Sequence, residues 1–314
     1  MVAAMSQLLG IDWGTTSLRG ARLGADGAVL EHRSVDRGAA MLQPAAFEAV
    51  FDVHFGDWMA PAGTLCLIGG MAGSKQGWVE APYCACPARI EDLCRKLTWI
   101  GSRRIAIVPG LSCNQAGIPD VMRGEESQIF GALNLLGRAD GLLVLPGTHS
   151  KWVQVRARRV ESFSTLMTGE FYALLRRHSL LARSMPPDDT ELDAPAFDQG
   201  VALALSSRSL MQTAFSVRTL SLFGRIGAEA LPSYLSGLVI GEELRSQLKH
   251  GLGPDRGAEV LLVGAEALTQ RYERALSQQG IGVKTLGAAA GWRGLWLVAQ
   301  ALHGQPGALA EGVT

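Results

Sequence analysis

Apolar residues along this chain gather into short runs that end in polar, glycine-bearing turns. Leu8, Leu9 and Ile11 form a strand of the buried kind, and it delivers Asp12-Trp13-Gly14-Thr15-Thr16 into a turn before a second strand. A third strand is expected where residues 21–23 turn through Gly24-Ala25-Asp26-Gly27 into Ala28-Val29-Leu30, since Asp-Gly is a strong hairpin signal. The pattern then recurs. Residues 141–146 make a second buried-type strand that runs into Gly147-Thr148-His149-Ser150-Lys151. The alternating stretch Trp152-Val153-Gln154-Val155 follows, then a glycine-free turn at Arg156-Ala157-Arg158 and a strand over 160–163. A further glycine-ended strand is Val260-Leu261-Leu262-Val263-Gly264, with a helix over 266–276 behind it.

A turn that combines a carboxylate, a glycine and two hydroxyls suits phosphate and a metal ion. Gly14 lets the backbone approach an anion, Thr15 and Thr16 add donors, and Asp12 can hold Mg²⁺ through its water shell. A polar-tipped hairpin gives the same local pattern, and the recurrence at Gly147 is what separates the two. Open α/β folds place ligands outside the carboxyl ends of such strands. The long separation of the turns predicts one site assembled from two lobes, 1–140 and 141–314.

Glycines at 69, 70, 73 and 77 are too dense for a helix interior or a central strand. Residues 69–83 therefore read as a loop presenting Ser74, Lys75, Gln76, Trp78 and Glu80, either for binding or as a solvated surface loop. Gly124-Glu125-Glu126 opens an apolar-periodic helix through Ile129, Phe130, Leu133, Leu135 and Leu136, where the carboxylates suit the helix dipole and are equally candidates for catalysis. Thr168-Gly169-Glu170 opens a helix over 171–181 with Thr168 as its N-cap, and Arg176-Arg177-His178 complement the dipole at its end. A loop over 184–193 containing Pro186-Pro187-Asp188-Asp189 comes next, then helices over 197–215, 228–250 and 266–279. A strand, Val283-Lys284-Thr285-Leu286, then leads through Gly287-Ala288-Ala289-Ala290-Gly291 into a closing helix over 292–302.

Composition narrows the class. The 314 residues exceed what one core usually supports, and 29 Lys plus Arg against 29 Asp plus Glu give no broad basic field for nucleic acid or an anionic membrane. Apolar runs are too short to span a bilayer and no secretory leader is evident, so a cytoplasmic protein is expected. The cysteines at 66, 84, 86, 94 and 113 lack paired metal-site spacing and read as reduced structural thiols rather than a zinc site.

Five segments in order resemble the 2-dehydro-3-deoxygalactonokinase family, within the superfamily of acetate kinase, hexokinase, actin and the heat-shock chaperone ATPases. They are 11–16 (IDWGTT), 70–83 (GMAGSKQGWVEAPY), 119–126 (PDVMRGEE), 145–152 (LPGTHSKW) and 167–170 (MTGE). The resemblance implies an α/β protein of two ribonuclease-H-like lobes, the actin-like ATPase fold, with the active site in the interlobe cleft. It implies ATP and Mg²⁺ as cofactors and transfer of the γ-phosphate to the 6-hydroxyl of 2-dehydro-3-deoxy-galactonate. By it, Asp12, Gly14, Thr15 and Thr16 meet phosphate and metal, while Gly147, Thr148, His149 and Lys151 meet the other side of the phosphate chain. Gly264 borders the adenosine and Gly287 makes room for adenine.

For the sugar acid, backbone groups near Gly73 with Ser74 can hold the carboxylate, Lys75 supplies charge beside Gln76, Trp78 covers the deoxy carbon, and Thr168 is a further contact. In the similar exopolyphosphatases a glutamate at the Gly-Glu-Glu turn orients the nucleophile, which makes Glu126 the first choice of base and Glu125 the second. The chain departs from many superfamily members by lacking an aspartate at its second turn, where His149 stands. Two other readings are a polyphosphate hydrolase, which the balanced charge disfavours, and a silent sugar-acid sensor, which the intact Asp12 and glutamate pair disfavour. The expected partners are a small sugar acid and ATP, with no nucleic acid and no membrane. Preference among sugar epimers stays open, as does a homodimer.

Overall fold

The computed structural model describes residues 7–61, 63–188, 190–206, 209–249 and 259–304. The chain divides into two compact units. The first holds residues 1–141, 153–163 and 286–314, and the second 142–152 and 164–285.

In the first unit, β1 (Leu8–Trp13), β2 (Leu18–Leu23) and β3 (Val29–Val35) form the expected meander, with Asp26 Oδ1 accepting from the Ala28 N–H at the second turn. Then come α1 (Phe47–Phe55), β4 (Leu65–Gly70), β5 (Tyr83–Ala85), α2 (Ile90–Cys94), β6 (Thr98–Trp99) and β7 (Ile105–Ile107). β8 (Gly110–Gln115), β9 (Ile118–Met122) and α3 (Glu125–Leu135) complete the run. Six strands lie in the order β3-β2-β1-β4-β7-β6, and β5-β8-β9 form a small separate sheet. β1 pairs antiparallel with β2 and parallel with β4, which sets Asp12 opposite Gly69 and Trp13 opposite Gly70. Gly69 and Gly70 were expected in a loop, and they end a fully buried central strand instead. Gly70 has φ 91°, and a Cβ there would lie 2.5 Å from the Trp13 carbonyl oxygen, so only glycine permits this pairing. One face of the sheet is closed by α1, whose Phe47, Phe51 and Phe55 pack with Ile11, Trp13 and Ile68.

The second half of the chain opens with β10 (Gly141–Leu145), β11 (Ser150–Arg156), β12 (Arg159–Leu166) and α4 (Thr168–His178). α5 (Ala194–Ser206), α6 (Leu210–Thr213), α7 (Ser216–Leu222) and α8 (Leu231–Lys249) follow. The chain continues with β13 (Glu259–Val263), α9 (Glu266–Ser277), β14 (Gly282–Leu286) and α10 (Ala289–His303). Its sheet has the order β12-β11-β10-β13-β14, so the first four strands repeat the order of the first sheet. The glycine-free turn forms with Ala157 at φ 48° and Arg158 at φ 57°; it is held because Asp140 accepts from the Ala157 N–H and Ala139 from that of Arg158. Of the helix expected over 197–215, α5 and α6 are seen while Ser207 and Arg208 lie outside the described residues, α7 comes after it, and the helix expected over 228–250 begins at Leu231. His250 and Asp189, included in expected elements, lie outside the described residues. Arg176 is buried near the end of α4 and donates to the Pro186 and Asp188 carbonyls, so it pins the following loop besides sitting at the helix terminus. Among the described residues no helix is long and apolar enough to cross a membrane, and all five cysteines are free.

α10 joins the first unit because it packs on α3 at glycines. A Cβ on Gly131 would lie 1.8 Å from the Ala290 carbonyl oxygen, and one on Gly294 would lie 1.8 Å from that of Ser127. Backbone cannot move aside as a flexible side chain can, so Gly131→Ala should destabilise by roughly 1–3 kcal/mol or more. Gly227, whose Cβ would meet nothing within 4 Å, is the control. Denaturation midpoints should fall for Gly131→Ala and stay within error for Gly227→Ala; equal midpoints would contradict the helix contact.

Candidate active site

Asp12 stands at the carboxyl end of β1, half-buried, and its carboxylate makes no hydrogen bond to a described residue. Burial pushes its pKa up, partly offset by Arg19. The turn behind it is closed by the Gly14 N–H donating to Ser17 O at 2.9 Å. Gly38 then passes so close that a Cβ would lie 2.3 Å from Thr15 O, which lets Ala39 and Ala40 donate to the Gly14 and Thr15 carbonyls at 2.9 and 3.1 Å. Thr15 and Thr16 are exposed, and their hydroxyls make no bond to a described residue.

The first turn of α3 reaches the same end of the sheet. Gly124, at φ 104°, would place a Cβ 3.1 Å from the Gly70 Cα, so its lack of a side chain permits the approach. No Ser or Asp caps the helix. Glu126 accepts from the Gly124 N–H at 2.7 Å and Glu125 from the Arg123 N–H at 3.0 Å. Glu126 is fully buried, and its Oε1 has no partner among the described residues; the neighbouring Ser127 Oγ is also buried without one among them. Burial, then the charge of Glu125, pushes the Glu126 pKa up to about 8, while its bonds to backbone N–H groups and the charge of Arg123 pull the other way.

Beyond β4 the glycine-rich segment folds on itself: Ala72 O accepts from the Trp78 and Val79 N–H groups, and Gly73 O from that of Ala81. Ser74, Lys75 and Gln76 lie at the tip, the last two exposed. The Trp78 ring packs 6.1 Å from Trp13 and 5.6 Å from Phe51, which ties this segment to the strand that carries Asp12. Arg123 spans the base, donating to Ala81 O at 2.7 Å and stacking 4.4 Å from the Tyr83 ring.

In the second unit, the Gly147 turn is clasped as the first one is. A Cβ on Gly169 would lie 2.4 Å from Gly147 O, and the Glu170 N–H donates to Thr148 O at 3.0 Å. His149 is exposed and pairs with Glu170 at 2.6 Å. Lys151, expected either at phosphate or in solvent, is buried with Nζ donating to Thr165 Oγ1 at 2.7 Å. Thr168 is not an N-cap: it is the first residue of α4, and its hydroxyl donates to Glu243 because that buried carboxylate demands donors. Gly264 follows β13 beside the Gly147 turn, where a Cβ would sit 3.5 Å from Pro146 O. Gly287, behind β14, borders open space.

The sequence profile of the 2-keto-3-deoxy-galactonokinases matches residues 12–298. This chain belongs to that family. A Rhizobium meliloti relative assigned as a 2-dehydro-3-deoxygalactonokinase is 39% identical over 282 residues, covering 88% of this chain and 91% of the relative. The Escherichia coli 2-dehydro-3-deoxygalactonokinase is 35% identical over 278 residues, covering 88% and 92%. The crystal structure of a Sinorhizobium meliloti protein assigned to the same activity superposes with a TM-score of 0.86 at 38% identity, covering 94% and 98%. At 14% identity, component A of the Acidaminococcus fermentans (R)-2-hydroxyglutaryl-CoA dehydratase shares the fold alone, with a TM-score of 0.54 and coverage of 94% and 98%. The fold is therefore the α/β fold of the actin-like ATPases and sugar kinases, and the chain is an enzyme of a kinase family.

For this kinase family member, sequence reasoning missed Gly38, Arg123 and Glu243. The signal for Glu243 was present in the helical spacing of Ser236, Ile240, Glu243, Leu244 and Gln247, which puts the carboxylate on a buried stripe. Glu126 carries a stability consequence. Below its ordinary pKa of 4.5 both folded and unfolded chains hold the proton. As pH rises from 4.5 to about 8 the unfolded chain ionises first, so stability falls across that window. Glu126→Gln keeps an acceptor for the Gly124 N–H and cannot ionise. Above pH 8 it should be more stable than the parent by on the order of a few kcal/mol, and near pH 4 the two should converge. Urea melts at both pH values test this; a constant difference would contradict it.

Proposed function

We propose that the chain transfers the γ-phosphate of ATP to the 6-hydroxyl of 2-dehydro-3-deoxy-D-galactonate in the cytoplasm, giving ADP and 2-dehydro-3-deoxy-6-phosphogalactonate. The observation that carries the reading, given the family, is Glu126: a buried carboxylate with one unpartnered oxygen at the sheet end that also holds Asp12. Phosphoryl transfer is mostly positioning and charge neutralisation, with a protein group to orient or deprotonate the nucleophile. Glu126 takes that role, accepting the 6-hydroxyl proton at its free oxygen, and a pKa near 8 suits a base working close to neutral pH. Glu125 supports it by raising that pKa.

Asp12 fits Mg²⁺. It is a lone half-buried carboxylate next to two exposed threonines, and the described residues contain no cluster of three or more His, Cys, Asp or Glu. Such a donor set suits an ion that keeps water and phosphate oxygens as ligands, and the ion neutralises phosphate charge when bound. Gly14, Thr15 and Thr16 are the phosphate contacts of the first unit, and Gly147 and Thr148 those of the second. Lys151 contributes its charge from a buried position, and His149 acts through its pairing with Glu170. Gly264 and Gly287 leave room for adenosine. At the sugar acid, Gly73, Ser74, Lys75 and Gln76 take the carboxylate end. Trp78 presents only what its packing on Trp13 and Phe51 leaves free, and Thr168 contacts substrate through its backbone N–H, since its hydroxyl belongs to Glu243. Neither the polyphosphate hydrolase nor the silent sensor draws support from the relatives found.

Purified protein in a coupled ADP-release assay should turn over 2-keto-3-deoxy sugar acids and not hexoses; ADP from hexoses alone, or none, refutes the substrate. The wild-type kcat should rise with pH toward an apparent pKa near 8. Glu126→Gln should flatten that profile and slow single-turnover chemistry by roughly 10²–10⁴-fold with both substrates still bound. Glu125→Gln should do much less, and the reverse order would move the role by one residue.

The sugar-acid segment is tested separately. Lys75→Met or Ser74→Ala should raise the KM for the sugar acid by about tenfold, the worth of one modest polar contact. Affinity for ATP should hold. A loss of ATP affinity in either variant would assign the segment to the other ligand.

A further inference from the structure

Glu243 is 2% exposed in the middle of α8, and four side chains donate to it. Ser150 Oγ at 2.8 Å and Trp152 Nε1 at 2.6 Å bond Oε1, while Thr168 Oγ1 and Tyr272 OH, the latter at 2.7 Å, bond Oε2. These donors belong to three elements, β11, α4 and α9, and Glu243 is the single side chain of α8 that bonds all three. Ser150 is the first residue after the Gly147–His149 turn, Thr168 begins the segment that clasps that turn, and Tyr272 lies on α9 behind Gly264. Burying a carboxylate costs several kcal/mol even when it is well bonded, so an apolar residue would serve packing alone at least as well. A charge retained there fixes geometry instead.

We propose that Glu243 is the positioning residue of the second phosphate turn. It fastens the two ends of the clasp, Ser150 and Thr168, to one rigid helix, and thereby holds the Gly147 and Thr148 backbone at the register in which it meets the transferring phosphoryl group. Glu243 touches no substrate. The inference rests on the kinase reading for the identity of the ligand and on the hydrogen-bond set for the role.

The experiment compares variants that break the clasp with one that breaks the hub elsewhere. Glu243→Gln keeps the shape but turns one acceptor oxygen into an NH₂ group. Ser150→Ala and Thr168→Ala each remove one clasp donor. Tyr272→Phe removes a donor on α9, outside the clasp, and leaves the bonds from Ser150 and Thr168 to Glu243 in place. In steady state, Glu243→Gln, Ser150→Ala and Thr168→Ala should lower kcat by about 10–100-fold, the usual effect of misplacing a reacting group by a fraction of an ångström to 1 Å. The KM for the sugar acid should stay within about twofold, and affinity for the non-hydrolysable analogue AMP-PNP, read by calorimetry, should weaken. Tyr272→Phe should lower the melting midpoint as much as Ser150→Ala does while keeping kcat and AMP-PNP affinity within about twofold.

Wild-type kcat in folded Glu243→Gln overturns the assignment, and so does a kcat loss in Tyr272→Phe that matches Ser150→Ala, since that would mark a structural role only. If Glu243→Gln does not fold, the contrast of Ser150→Ala and Thr168→Ala with Tyr272→Phe decides. If the wild type releases no ADP, the kinase reading falls, and unchanged AMP-PNP affinity in Glu243→Gln and Ser150→Ala would still overturn the positioning role.

Discussion

Both polar turns depend on one backbone arrangement. A glycine in a following segment, Gly38 for the first turn and Gly169 for the second, comes within a distance at which a Cβ would lie 2.3 or 2.4 Å from a turn carbonyl oxygen. The next N–H groups then take up carbonyls of the turn: Ala39 and Ala40 bond Gly14 and Thr15, and Glu170 bonds Thr148. An outward carbonyl would oppose an anion, and a buried one without a partner would cost about 1–3 kcal/mol. The clasp removes both problems at once and leaves hydroxyls and N–H groups as the polar surface. That it occurs after the corresponding strand in both sheets, with the same 3-2-1-4 strand order, shows one device used twice.

The two buried glutamates divide the polar work of the fold. Glu243 is surrounded by four donors and has no capacity left over, so it acts as a fixed node. Glu126 bonds backbone with one oxygen and leaves the other unpartnered, beside a like-charged neighbour, with its pKa near 8. Environment alone separates a fully bonded carboxylate from one with an oxygen to spare, because the chemical group is identical and the supply of donors is not.

What the chain discloses in sequence is local. β1, β10 and β13 are legible because each is an apolar run ended by a glycine turn, and α3 because its apolar spacing follows a Gly-Glu-Glu start. Gly69 and Gly70 misled for a physical reason: glycine density usually weakens a strand, but here it admits Trp13 on one side and α3 on the other. The β5-β8-β9 sheet was not legible, since Pro119 lies in β9 and neither β8 nor β9 alternates cleanly. Glu243 was hidden because its donors lie 29 to 93 residues away along the chain. Thr168 was misassigned for the same cause: a hydroxyl at a helix start caps by default, and only a distant carboxylate diverts it.

The depth of Glu126 is set from the far end of the chain. Ser127, its neighbour, meets Gly294 of α10 so closely that a Cβ there would overlap the Ser127 carbonyl, and four residues on, Gly131 meets Ala290 in the same way. α3 is thereby held between α10 and the ends of β1 and β4, with glycine at each contact: Gly131 and Gly294 on one side, Gly70 and Gly124 on the other. Close-packed backbone has little compliance. A larger residue at any of these points would lift the first turn of α3 and bring water to Glu126, lowering its pKa toward that of a solvated acid. The glycines thus act on the carboxylate's chemistry through the exclusion of solvent, without touching it.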